Sequence, residues 1–183
     1  HHKTNENNVQ YKNAKLFIDP EAGSTCRLIY KLLVKGLNKE LTVPQKLLIS
    51  LVNDYDSYTL KSPLSKKLNT VFWNYQGDRL QKFVRDFKDG FNEFNKFHLN
   101  IIKKSQDEFE SIVSGLEVFT GDILLDKAVV RVSGAIASSH INDIADYVGS
   151  KTVCDAVFVV NTKSSKISFR ANKDNNVSAI TLA

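Results

Sequence analysis

Residues 127–170 read KAVVRVSGAIASSHINDIADYVGSKTVCDAVFVVNTKSSKISFR, and this stretch decides the fold class of the C-terminal part. The β-branched run Lys127–Val132 predicts a strand, and Ile141–Val148 has the apolar spacing of a helix. Cys154–Val160 predicts a buried strand, and Lys166–Arg170 predicts another after a hairpin turn. This order of elements predicts a compact mixed α/β unit.

Toward the N-terminus the pattern becomes mostly helical. Lys15–Ile18 predicts a short strand, and a helix is expected after the break at Asp19-Pro20. A second helix is predicted to begin near Val43-Pro44, because proline suits the first helical turn. It is expected to run into Asn53–Asp56.

From Gln81 to Val113 the apolar positions recur at spacings of three and four, which predicts one long amphipathic helix joining two units. Phe87, Phe91, Phe94 and His98 belong to its apolar stripe. A packing stripe with a charged opposite face is the expected role, so His98 is interpreted as a core residue rather than a ligand.

Composition bounds the class of protein. The chain has 183 residues, of which 42% are hydrophobic, as in soluble globular proteins. It has no apolar run of roughly 20 residues and no secretory leader, so a cytoplasmic location without a membrane anchor is expected. Cys26 and Cys154 stand far apart, and we expect two buried cysteines rather than a disulfide framework or a zinc site.

Charge and methionine content add two expectations. The net charge of +5 favours a polyanionic partner, although a solvated basic surface is the alternative. The absence of methionine indicates a fragment or a processed product rather than a complete reading frame.

Histidines and aspartates supply the candidate metal chemistry. His1-His2 and the pair Asp54 and Asp56 together suit manganese or zinc, though not specifically. The alternative is a purification-tag remnant at the histidines and ordinary helix capping at the aspartates.

Three blocks carry a family resemblance. The run His1–Asn5, followed by Phe17–Ala22 and Ser24–Tyr30, resembles the sequence after the Asp of the Asp-His-His (DHH) signature of metal-dependent phosphoesterases. Leu51–Tyr58 is similar to the Tyr-Asp-Thr-Trp block of the nanoRNase and oligoribonuclease-like branch. Lys166–Asn172 is similar to the substrate-binding strand of the DHH-associated C-terminal domain.

The resemblance implies a two-lobed α/β fold. The C-terminal part of a DHH parallel-sheet domain would occupy residues 1–80, a connecting helix 81–115, and a smaller mixed α/β DHH-associated domain 116–183. The chain would begin inside the signature and end before the family's glycine-rich motif. By itself it would then be incomplete for catalysis.

The resemblance also implies the site residues. His1 and Asp56 would be metal ligands, with Asp54 as second choice for the aspartate. His2 would be catalytic and face the substrate, and Arg170 would grip a phosphate. The usual Ser after that Arg is Ala171 here, so only Arg170 is carried over.

The implied activity is hydrolysis of a phosphodiester by water activated between two manganese or magnesium ions. The expected substrates are short single-stranded RNA or DNA, a dinucleotide or pAp, and a homodimer is left open. There are two alternatives to this exonuclease hypothesis. One is a catalytically incomplete nucleotide- or phosphate-binding remnant, and the other is a pyrophosphatase or polyphosphatase of the same family.

Overall fold

The computed structural model describes residues 19–37, 40–125 and 128–171, and within them the fold is α/β with six α-helices and a four-stranded mixed sheet. The helices are α1 (Thr25–Leu37), α2 (Val43–Asp56), α3 (Pro63–Asn74), α4 (Arg79–Phe87), α5 (Lys96–Ser114) and α6 (Ile141–Lys151). The strands are β1 (Val118–Leu125), β2 (Ala128–Ala137), β3 (Ala156–Asn161) and β4 (Lys166–Ala171).

The chain divides into two compact units between Ser105 and Gln106, inside α5. In the first unit, every regular element of residues 19–37 and 40–105 is helical. The parallel sheet that the DHH resemblance implies for this part is therefore not found in those residues. The predicted strand Lys15–Ile18, like His1 and His2, lies outside the described residues.

The first unit is built around an aromatic and aliphatic core. Its most buried members come from α2, from α3 and the residue after it, from α4 and from the link after α4. They are Leu51, Leu68, Val71, Tyr75, Phe87 and Phe91. The start of α2 is fixed by a capping box, in which Thr42 and Gln45 each bond the other's backbone N–H. Such a box satisfies two of the N–H groups that a helix start leaves without partners.

The single helix predicted over Gln81 to Val113 is wrong, because α4 ends at Phe87 and α5 begins at Lys96. Gly90 makes the break, with φ of +101°. A Cβ there would lie 2.2 Å from the carbonyl carbon of Pro44, and the next amide, Phe91 N, donates to Pro44 O at 2.9 Å. The link thus docks on the first turn of α2, an approach open only to glycine.

In the second unit the strands lie in the order β1-β2-β3-β4. The β1–β2 and β3–β4 pairs are antiparallel, whereas β2 and β3 are parallel and joined through α6. The predicted strands and hairpin of residues 127–170 are confirmed. Strand β1 is an addition that the sequence pattern did not predict.

One face of this sheet packs on α6. The core there includes Ala135, Ile144, Val148, Val157 and Val159. Ile144, Val148 and Val159 are fully buried, and each such side chain stabilises the fold by roughly 1.5–3 kcal/mol. This packing fixes α6 against β2 and β3, and β3 pairs with β4, the strand that carries Arg170.

No helix in the described ranges is both long and apolar enough to cross a membrane. Cys26 and Cys154 are both free thiols, and each is partly rather than fully buried. Cys26 lines an apolar cavity of about 540 Å³ beside α1, together with Ile29, Tyr30, Val34 and Ile49 among others.

Candidate functional site

The loop after α2 is organised by Asp54. Its carboxylate accepts hydrogen bonds from Thr59 Oγ1 at 2.6 Å, Lys61 N at 2.9 Å and Ser62 N at 3.0 Å. The hydroxyl of Thr59, followed by these amides, lowers the pKa of Asp54 well below its usual range, against the opposing effect of burial. Asp54 is therefore a structural anion that closes the loop, which disfavours it as a metal ligand.

Asp56, two residues later, is exposed at the C-terminal end of α2. Burial raises the pKa of the Cys26 thiol, and the charge of Asp56 raises it further. The start of α1 is tied to α2 because Ser24 Oγ donates to Asn53 Oδ1 at 2.7 Å. The exposed Asp56 at the end of α2 thus acts electrostatically on Cys26, which lies in the first turn of α1.

Of the residues that the resemblance implies as metal ligands, Asp56 lies among the described residues and His1 does not. Asp56 offers the hard oxygen ligand that manganese and magnesium accept. Across residues 19–37, 40–125 and 128–171, no three His, Cys, Asp or Glu side chains form a group that could hold a metal ion. The described residues alone therefore do not fit a complete metal centre, and His1 and His2 lie outside them.

Arg170 is held in a defined orientation on β4. Its Nη2 donates to Asn142 Oδ1 at 2.8 Å and its Nη1 to Asp146 Oδ1 at 3.2 Å. Asn142 and Asp146 are four residues apart on α6, so they lie on the same face of that helix. The Arg170 side chain keeps 27% of its surface exposed.

This arrangement suits binding of an anion. A guanidinium has five N–H donors in one plane, and the bonds to Asn142 and Asp146 help to fix that plane. Asp146 offsets part of the positive charge, so a phosphate must compete with a carboxylate that is 34% exposed. The result is an oriented guanidinium beside a carboxylate with which any bound anion would compete.

A separate cavity of about 460 Å³ lies at the carboxyl ends of the parallel strands β2 and β3. Leu116, Phe119, Ile136, Ser138 and Thr162 are among its lining residues. Ligands of α/β sheets often bind at this edge. Arg170 pairs with Val157 near the amino end of β3, so the cavity and the arginine belong to opposite ends of that strand.

A buried polar network in the first unit was missed by the sequence reasoning, although His98 was correctly assigned to the core. Tyr75 donates from its hydroxyl to Asp86 Oδ2 at 2.8 Å, and His98 Nε2 lies 2.9 Å from that hydroxyl and 3.2 Å from the carboxylate. His98 is 2% exposed and its ring stacks on Phe87. Because these groups are enclosed and bonded to one another, we interpret them as a structural network rather than a reactive site.

Electrostatics support that assignment. The adjacent Arg85 guanidinium, with Tyr75 and His98, lowers the pKa of Asp86 to about 2. Burial and the same carboxylate raise the pKa of Tyr75. An aspartate, a tyrosine and a histidine dispersed over 24 residues carry no local sequence signal, so only the fold could reveal the network.

Comparison of the chain with protein-family models, with curated proteins and with solved structures finds no match.

Proposed function

We propose that this chain is part of a DHH-type metal-dependent phosphodiesterase that hydrolyses short single-stranded oligonucleotides or dinucleotides. The observation that carries the proposal is the orientation of Arg170 by two side chains of α6, at the position where the resemblance calls for a phosphate ligand. A second observation supports the proposal. Asp56 is exposed and occupies the position where the resemblance implies a metal ligand.

Each of these residues has one role. Arg170 would bind and orient a phosphate of the substrate through its planar donors. Asp56 would hold a manganese or magnesium ion together with His1, and His2 would face the substrate. Bound divalent ions would supply activation of water and charge neutralisation at phosphorus.

The test compares two substrates with the full-length protein that contains this chain. With manganese present, we expect release of mononucleotides from a labelled dinucleotide and no comparable release of phosphate from pyrophosphate. Faster turnover of pyrophosphate would favour the pyrophosphatase alternative. Dinucleotide binding without hydrolysis, across manganese and magnesium concentrations, would favour the nucleotide-binding remnant.

A further inference from the structure

The positive charge of the chain is concentrated in one unit. Of the 25 lysines and arginines, 18 precede Gln106, whereas only 10 of the 20 acidic residues do. The first unit therefore carries the whole positive excess, and the second is slightly acidic. A polyanion longer than the reacting nucleotides is expected to contact the first unit.

Within that unit the excess is greatest around α3 and α4. Residues 57–88 contain seven lysines or arginines but only two carboxylates, Asp78 and Asp86. Asp78 caps α4 by accepting from Gln81 N at 3.0 Å, and Asp86 belongs to the buried network and to the ion pair with Arg85. Both carboxylates thus have structural partners, and the remaining cations of α3 and α4 give this segment its net positive charge.

An exposed aromatic side chain lies among these cations. Trp73, at the end of α3, is 60% exposed, and the Arg79 guanidinium lies 4.6 Å from the centroid of its ring. Phe72 meets the indole edge-on with ring centroids 5.4 Å apart. Lys66 lies two turns before Trp73 on the same helix face. Arg79 and Phe72 thus hold a large aromatic surface in place that takes little part in the core.

We propose that the outer surface of α3 and α4 binds single-stranded nucleic acid, with a base stacked on Trp73 and the backbone phosphates beside Arg79 and neighbouring cations. An exposed aromatic ring among cations is the arrangement with which proteins bind single strands. Single strands are favoured over duplexes because stacking requires unpaired bases. The inference rests on the proposed function for the class of ligand and assigns that ligand a second contact surface.

The test uses Trp73 as its own reporter, since it is the only tryptophan in the chain. The full-length protein is titrated with a fluorescein-labelled ten-nucleotide DNA strand in EDTA, so that metal-dependent hydrolysis is absent. We expect Trp73→Ala to weaken binding by roughly 5- to 100-fold, the range for loss of one stacked base. Arg79→Gln should weaken it less and reduce its dependence on salt. If the parent protein contains no further tryptophan, quenching of its indole fluorescence should accompany binding.

The matched control is Leu124→Ala, which removes a large apolar side chain that is 76% exposed from the second unit. It should bind the strand like the parent protein, and thermal melts should show that all variants are folded. Equal affinity of the Trp73→Ala and parent proteins would overturn the proposal. Binding to phosphatidylserine vesicles without binding to the DNA strand would also overturn it. Leu80 and Val84, exposed on α4, could favour such membrane binding. Dinucleotide hydrolysis with manganese tests the proposed function separately, because strand binding in EDTA does not depend on catalysis.

Discussion

Asp54 and Asp56 are two residues apart and have opposite environments. Asp54 is buried and accepts from Thr59, Lys61 and Ser62. Asp54→Ala should lower the free energy of unfolding by about 2–4 kcal/mol, because buried donors lose an ionised acceptor. Urea unfolding measures this directly, and a loss below about 0.5 kcal/mol would contradict the structural role.

Asp56→Ala should have the complementary effect. Since Asp56 is exposed, the free energy of unfolding should change by no more than about 0.5 kcal/mol. In the full-length protein, manganese-dependent hydrolysis should fall by orders of magnitude, because the proposed metal ligand is lost. Asp89→Ala, at another exposed aspartate of the first unit, serves as the control. Near-normal turnover of the Asp56→Ala protein would refute the metal-ligand assignment.

Arg170→Ala should chiefly raise KM for a dinucleotide, because the role proposed for this side chain is to bind a substrate phosphate that does not react. Arg170→Lys should restore little, since a lysine lacks the planar donors that meet Asn142 and Asp146. Arg131→Ala is the matched control, because Arg131 is also a strand arginine ion-paired to an aspartate, Asp122. A fall in kcat with unchanged KM would instead place Arg170 at the transition state.

The sequence predicts Asp56 and Arg170 as site residues only because the short blocks around them resemble blocks of the DHH family. It left Asp54 as an alternative ligand, since both aspartates follow the same helix. What separates the two is the path of Thr59–Ser62 back over the Asp54 carboxylate. Likewise, Asn142 and Asp146 are 28 and 24 residues from Arg170, so their contact with it depends on the packing of α6.

At the scale of elements, Gly90 decides where α4 and α5 separate. Gly90→Ala should cost about 3 kcal/mol or more in thermal or urea unfolding, because both the positive φ and the contact with Pro44 disfavour a Cβ. Gly36→Ala is the control, since Gly36 lies within α1 and an added Cβ meets nothing within 4 Å. That substitution should be neutral or stabilising by up to about 1 kcal/mol. A well-tolerated alanine at position 90 would argue against the described link.

The elements differ in how far the sequence determines them. α2 and α6 are predicted well because their apolar spacing coincides with real helices. The false long helix arises because Phe91 and Phe94 keep a helical spacing although they pack inward from a non-helical link. β1 lacks the alternation of a half-buried strand, since all of its residues whose side chains are described are exposed. The signal for a strand is weak in such a segment.

At the scale of the whole molecule, acid should weaken the fold below about pH 4. The pKa of Asp86 is lowered to about 2 in the folded protein, so its contribution is present above the unfolded value near 3.8 and is lost as pH falls toward 2. The size of this contribution is about 2 kcal/mol. Urea unfolding at intervals from pH 6 to pH 2 measures it.

Asp86→Asn provides the comparison for that titration. The variant should be less stable than the parent at pH 6, and the difference between the two proteins should narrow between pH 4 and pH 2. Asp54, whose pKa is also lowered, gives both proteins a common acid-dependent decline. A difference that stays constant over this range would show that Asp86 is not held ionised by the fold.

Two residues of the Asp54-anchored loop, Tyr58 and Leu60, have φ of +55° and +49°. Glycine or asparagine would adopt this backbone at a lower cost in free energy than tyrosine or leucine. Each of these two residues destabilises the folded loop by on the order of 1 kcal/mol. Stability alone would therefore favour replacing both side chains. If Asp56 holds a metal ion as proposed, then keeping a phenol and an isobutyl group in this less stable loop is the trade-off expected where activity limits stability.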